Sequence, residues 1–174
     1  MLPTIEKECS QFLEQSFGYP LLKNLPSNTD GFRKVKVRKR NQTGMIYNLF
    51  DSTFKEDYSQ ILQRCVFAYG EQGLELPSED TEPFYIFPID GYKFMYAENV
   101  ISTTDNYKNV LDLLLETIGD TAIETLQDVL KYQYKHDKLY EALTEQSEII
   151  IYNIPYFYAI RKTLVDNYYE FLIS

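Results

Sequence analysis

Apolar positions recur at steps of three and four through Ile5, Cys9, Phe12, Leu13 and Phe17, with polar residues between them. That spacing predicts a helix over 4–17, capped by Thr4 and stopped by Gly18 and Pro20. A Pro/Asn/Ser/Gly-rich loop spans 25–31. Residues 33–40 then alternate: Arg33, Val35, Val37 and Lys39 share one face, and Lys34, Lys36, Arg38 and Arg40 the other. This reads as a half-buried strand with a cationic outer row. Helical spacing returns over 45–55 through Ile46, Leu49, Phe50 and Phe54, and a second short helix is predicted over 57–64. Residues 65–69 form an apolar strand, and 71–83 an acidic loop. Two apolar runs, 84–88 and 92–96, flank Asp90-Gly91, the pattern of a β-hairpin, with Pro88 at a strand end.

Further along, Val110, Leu111, Leu114, Leu115 and Ile118 mark a helix ending at Gly119. Ala122, Ile123, Leu126, Val129 and Leu130 mark another, capped by Asp120. A short helix over 138–144, strands over 148–152 and 156–160, and an amphipathic stretch over 164–173 complete the pattern. Helices interleave with strands, and neither a repeat nor a dividing linker is visible. The expectation is a single α+β domain over 1–174, with a mixed or antiparallel sheet and flanking helices. The length and a hydrophobic content of 44% suit one sizeable core.

Charge changes the picture more than length does. The chain holds 17 Lys and Arg against 26 Asp and Glu, a net charge of -9. Residues 33–40 hold six of the positive charges and no negative one. An acidic body with one basic stripe disfavours wrapping by an extended polyanion but permits a local phosphate contact. The stripe has three readings: a solvated edge strand protected from aggregation by its cations, docking to an acidic patch, or contact with phosphate in nucleic acid or a dinucleotide. On the last two readings Lys34, Lys36, Arg38 and Arg40 are the contact residues.

Most familiar chemistries find no residues to carry them. His136 is the one histidine, set between Lys135 and Asp137, so zinc, iron and Ser-His-Asp arrangements are not expected. Neither a Walker A nor a dinucleotide glycine fingerprint occurs. Cys9 and Cys65 sit on apolar positions and read as buried hydrophobes rather than a disulfide or metal pair. The N-terminus lacks a signal-peptide pattern and no apolar run approaches ~18 residues, so neither secretion nor a membrane partner is expected and cytoplasm is the default. Eight of the 16 tyrosines lie from Tyr132 onward, either as strand filling or as a recognition surface. In Gln146-Ser147-Glu148, an extended chain places the amide and the carboxylate on one face. They are either an ordinary polar lead into a strand or a pair able to grip a sugar hydroxyl.

The runs Leu21–Pro26, Phe32–Arg40, Arg64–Gly70, Tyr85–Phe94 and Glu148–Ile151 resemble accessory proteins of T4-like tailed phages, which in turn resemble distant ADP-ribosyltransferases. The resemblance implies an ADP-ribosyltransferase-like fold, NAD as cofactor, and residence in the cytoplasm of an infected host cell. It implies that Glu148 binds the nicotinamide ribose and stabilises an oxocarbenium-like transition state, while Gln146 positions the acceptor. Where the family tends to show Arg-Gly, this chain has Lys23-Asn24, so Lys23 would hold phosphate as a point charge, with Arg33 as a substitute. The middle strand lacks Ser or Thr, and Tyr69 either stacks on nicotinamide, as the resemblance implies, or is simply core. Three functions follow as expectations. One is a phage enzyme using NAD to modify a host factor. Another is a non-catalytic acidic binder that antagonises a host defence or transcription component. The third is a virion component.

Overall fold

A computed structural model describes residues 2–42, 44–54 and 61–173. The helical spacing of the first residues produces two helices, α1 (Leu2–Glu8) and α2 (Ser10–Ser16), where one was expected. Thr4 lies inside α1 rather than capping it. The break falls at Cys9 because Asp90 reaches in from a distant turn. Its Oδ2 accepts from the Ser10 hydroxyl (2.7 Å) and its Oδ1 from the Gln11 amide (2.8 Å). A side chain inserted into the backbone ladder kinks a helix. Phe17, expected on the buried face, instead ends α2 in a left-handed conformation with its ring exposed.

The chain then forms β1 (Leu22–Pro26), β2 (Phe32–Lys36), α3 (Met45–Thr53), β3 (Cys65–Ala68), β4 (Thr81–Pro88) and β5 (Lys93–Tyr96). It continues through α4 (Thr103–Ile118), α5 (Ala122–Gln133), α6 (Leu139–Leu143), β6 (Ile149–Tyr152), β7 (Tyr156–Arg161) and α7 (Tyr168–Ile173). Strand β1 was not expected, because Lys23 and Asn24 interrupt its apolar pattern. The helix expected over 57–64 lies largely outside the described residues, and 61–64 is a turn. Asp120 does not cap α5. It sits in a 3-10 turn, Gly119–Thr121, that joins α4 to α5.

All strand pairs are antiparallel. One sheet has the order β1-β4-β7-β2 and the other β3-β6-β5. The expected hairpin over 84–96 does not form: β4 pairs with β1 and β7, and β5 pairs with β6. The Asp90-Gly91 turn is real, with Gly91 at φ 87°, but it passes the chain from one sheet to the other. The reason is burial. Phe84 to Pro88 are all buried, as are Phe94 to Tyr96, so both runs need cover on two faces. A two-stranded ribbon cannot give that. Pro88 does end its strand.

Strand β6 organises the interior. Ile149 and Ile151 join a core shared with the larger sheet, α1, α2 and α6. Ile150 and Tyr152 join a second core with α3, α4 and α5. Burial on both faces explains the unbroken apolar run. Burying each isoleucine contributes about 1.5–3 kcal/mol. The result is an α+β fold of two stacked antiparallel sheets with flanking helices. Among the described residues no helix is long and apolar enough to cross a membrane.

Candidate anion cleft and the Glu148 pocket

The larger sheet has two faces with different duties. On one, Tyr85, Phe87 and Tyr158 pack with α1, α2 and α7. On the other, a cleft of about 650 Å³ opens between β1, the stripe following from β2, and the start of β3. Its floor is apolar: Leu25, Val35, Val37, Val66 and Phe157. Lys23, Arg33, Lys34, Lys36, Arg38, Lys39 and Arg40 line it, and among the described residues no acidic side chain does. Lys23 and Arg33 project from the cleft face of the sheet, whereas the register turns Lys34 and Lys36 to the opposite face with Tyr156 and Tyr158, so the residues expected from sequence to contact phosphate divide between the two faces.

Alternation along the stripe holds only as far as Arg38. Regular pairing in β2 ends at Lys36, with one further backbone bond from the Val37 amide to Pro155 O (2.9 Å). Lys34, Lys36 and Arg38 are exposed while Arg33, Val35 and Val37 are half-buried. Arg40 does not continue the outer row as expected. Its amide donates to Gln63 O (2.8 Å), which turns the chain inward. Its guanidinium then lies 4.5 Å from the centre of the Phe67 ring and donates to Cys65 Sγ (3.6 Å). Lys34 lies against the Tyr156 ring at 3.4 Å, and Tyr156 and Tyr158 both donate to Glu8 Oε2 (3.0 and 2.7 Å). Phe157 and Tyr158, on opposite faces of β7, are both buried.

Three cations point inward. Lys23 Nζ donates to Phe67 O (2.7 Å). Desolvation, and then the like charge of Arg40, pull its pKa below the ordinary lysine value. Arg33 lies 5.1 Å from the Phe84 ring centre, and its buried Nε has no hydrogen-bond partner. Burial, and then Arg161, lower its pKa as well. Like charges crowded in a half-buried cleft disfavour one another, and a bound anion would reverse that. Cys65, beside them, is inert: burial pushes its thiol up to about 12.

Glu148 lies on the second-core side of β6, beyond Phe67. It is only 7% exposed, yet both oxygens are satisfied. Oε1 accepts from the Thr103 amide (2.9 Å) at the first turn of α4, and Oε2 from the Tyr69 hydroxyl (2.7 Å). A carboxylate at a helix N-terminus is electrostatically favoured. Thr103 Oγ1 shares a hydrogen bond with Tyr134 Oη (2.8 Å), and Tyr107 donates to Gln133 Oε1 (2.6 Å). Burial, and then the charge of Glu148, raise the pKa of Tyr69.

Tyr69 and Glu148 thus meet directly, and the charge of Glu148 reaches Lys23 at the cleft. Gln146 does not join them. Residues 144–146 form a turn, not extended chain, and Gln146 is exposed while Glu148 is buried. Sequence reasoning also missed Thr103, Tyr134 and Tyr47 of α3, whose phenol is pushed up chiefly by burial, with Arg40 opposing the shift and Glu148 adding to it. Among the described residues no cluster of metal-ligating side chains occurs. Comparison with protein-family models, with characterised proteins and with solved structures found no match to this chain.

Proposed function

We propose that the basic cleft holds a phosphate-bearing dinucleotide of the NAD class, in a phage accessory protein with an ADP-ribosyltransferase-like fold that acts on a host factor. One observation carries this reading: Lys23, Arg33 and Arg40 line an apolar-floored cleft that, among the described residues, has no acidic side chain in its lining. The buried, unpartnered Nε of Arg33 supports a fit to pyrophosphate, since guanidinium N–H groups match phosphate oxygens. Glu148 stands outside the cleft lining, so catalysis would require the ligand to extend to it and a ribose hydroxyl to replace Tyr69 at Oε2. The carboxylate would then stabilise positive charge developing on the sugar. The test is thermal unfolding with NAD, together with release of nicotinamide. NAD should raise the midpoint in wild type but not in a Lys23→Gln/Arg33→Gln variant, and release should vanish in Glu148→Gln. Absence of any NAD effect on stability would defeat the reading.

A second reading, a non-catalytic acidic binder that antagonises a host defence or transcription component, is favoured by a different observation. Both oxygens of Glu148 are engaged and Gln146 turns away. The outer face of α4 and α5 also exposes Leu113, Ile118 and Ile123 among Asp112, Glu116, Asp120 and Glu124. It predicts a salt-sensitive, stoichiometric complex with a host protein that survives Glu148→Gln. A complex that ignores salt, or that Glu148→Gln abolishes, would count against it.

A further inference from the structure

On the other face of the larger sheet, away from the basic cleft, lies a second concavity of about 550 Å³. Its lining is aromatic: Phe17, Tyr19, Tyr85, Tyr168 and Tyr169. Three of these rings stand in solvent, with Phe17 69% exposed, Tyr19 45% and Tyr169 63%. Large rings are normally withdrawn from water, so three at one mouth mark a recognition surface.

The backbone makes an effort to present them. Phe17 has φ 51°, a conformation that bulky side chains avoid, and Gly18 follows at φ 81°. A β-carbon on Gly18 would meet the Tyr169 ring at 2.9 Å. The Phe17-Gly18 turn therefore sets the Phe17 ring edge-on to Tyr140 (5.1 Å between ring centres) with most of it still in solvent, and lets the Tyr169 ring close over the backbone. Strained residues of this kind cluster where ligands bind.

The polar lining fixes the sign of the ligand. Glu71 is paired with Lys162 at 3.1 Å. The Asn167 side-chain Oδ1 accepts from the Tyr169 backbone amide (3.0 Å). Asp166 lines the pocket without an ion-pair partner among the described residues. The buried Tyr168 hydroxyl also lacks a hydrogen-bond partner. Exposed aromatic faces beside one uncompensated carboxylate favour a planar cation over a phosphate or a neutral sugar.

We propose that this pocket receives an arginine side chain of a protein partner, its guanidinium stacked on Phe17 and Tyr169 and paired with Asp166. The site is independent of the basic cleft, so either can fail alone. The probe is N-acetyl-arginine methylamide, titrated into the ¹⁵N-labelled full chain, with the citrulline counterpart as a neutral isostere. Saturable amide shifts are expected at Gly18, Tyr19 and Asn167 to Tyr169 with arginine but not with citrulline. They should weaken about tenfold or more in Asp166→Asn and in Phe17→Gly. Glycine suits the left-handed backbone, so the second variant removes the ring without endangering the fold. Equal shifts with citrulline, shifts confined to the acidic face of α4 and α5, or unchanged binding in both variants would overturn the proposal.

Discussion

In the Glu148 pocket one buried negative charge meets a helix amide and a phenol, and each of its oxygens has a partner. In the cleft a few residues away along β3, Lys23 feels the like charge of Arg40, Arg33 lines the same cleft, and no acid lines it among the described residues. The pocket stabilises the fold by itself, because it fastens the start of α4 to β6. The cleft does not, since its inward cations raise one another's electrostatic cost. A satisfied charge holds structure, and a set of like charges lining one cleft indicates something to be bound. The contrast lies in what each region would lose if its charges were removed.

The largest effect is expected from Glu148→Ala. It would leave the Thr103 amide unpaired and the Tyr69 hydroxyl with only the Ile101 carbonyl (3.2 Å) as acceptor, at a cost of about 1–3 kcal/mol by urea unfolding. A cost near zero would remove the structural half of the contrast. Arg33→Gln should behave differently, changing stability by no more than about 0.5 kcal/mol. Combined with Lys23→Gln, it should weaken binding of pyrophosphate-bearing ligands by roughly tenfold or more, about 1.4 kcal/mol for each factor of ten.

The depressed pKa of Lys23 sharpens the contrast with pH. Between that folded value and the ordinary 10.5 the unfolded chain holds the extra proton. Stability of the ligand-free protein should therefore gain a small increment as pH rises through this window, while anion affinity falls. Calorimetry across alkaline pH would read both slopes, and Lys23→Gln should flatten them. The smallest effect concerns the thiols. Burial pushes Cys9 and Cys65 each up to about 12, so both should resist a disulfide reagent in the native state and react in denaturant. Fast reaction of Cys65 would mean that the cleft opens beyond its described form.

The sequence made the local periodic elements legible. The α5 stripe, Gly119 as the end of α4, and strands β6 and β7 all stand where the pattern puts them. Its failures share a cause. Asp90-Gly91 announces a turn, but partner choice depends on which strands can cover both faces of Phe84–Pro88, and that is a long-range matter. Strand β1 hides behind Lys23 and Asn24, whose polar side chains are turned to the cleft and to Glu75 O. In the site, the residue types were visible: the basic stripe, Lys23, Tyr69 and Glu148. Their grouping was not. Whether Gln146 shares a face with Glu148 depends on a turn after α6, and whether Arg40 points inward depends on one backbone bond to Gln63.

Thermal unfolding with NAD, ADP and inorganic pyrophosphate at low salt, on wild type, Lys23→Gln/Arg33→Gln and Glu148→Gln, tests the central claim most directly. The account predicts a salt-sensitive rise of the midpoint in wild type, loss of that rise in the double variant, and its retention in Glu148→Gln on a lower baseline. No rise with any of the three ligands in wild type, or an equal rise in the double variant, would contradict it.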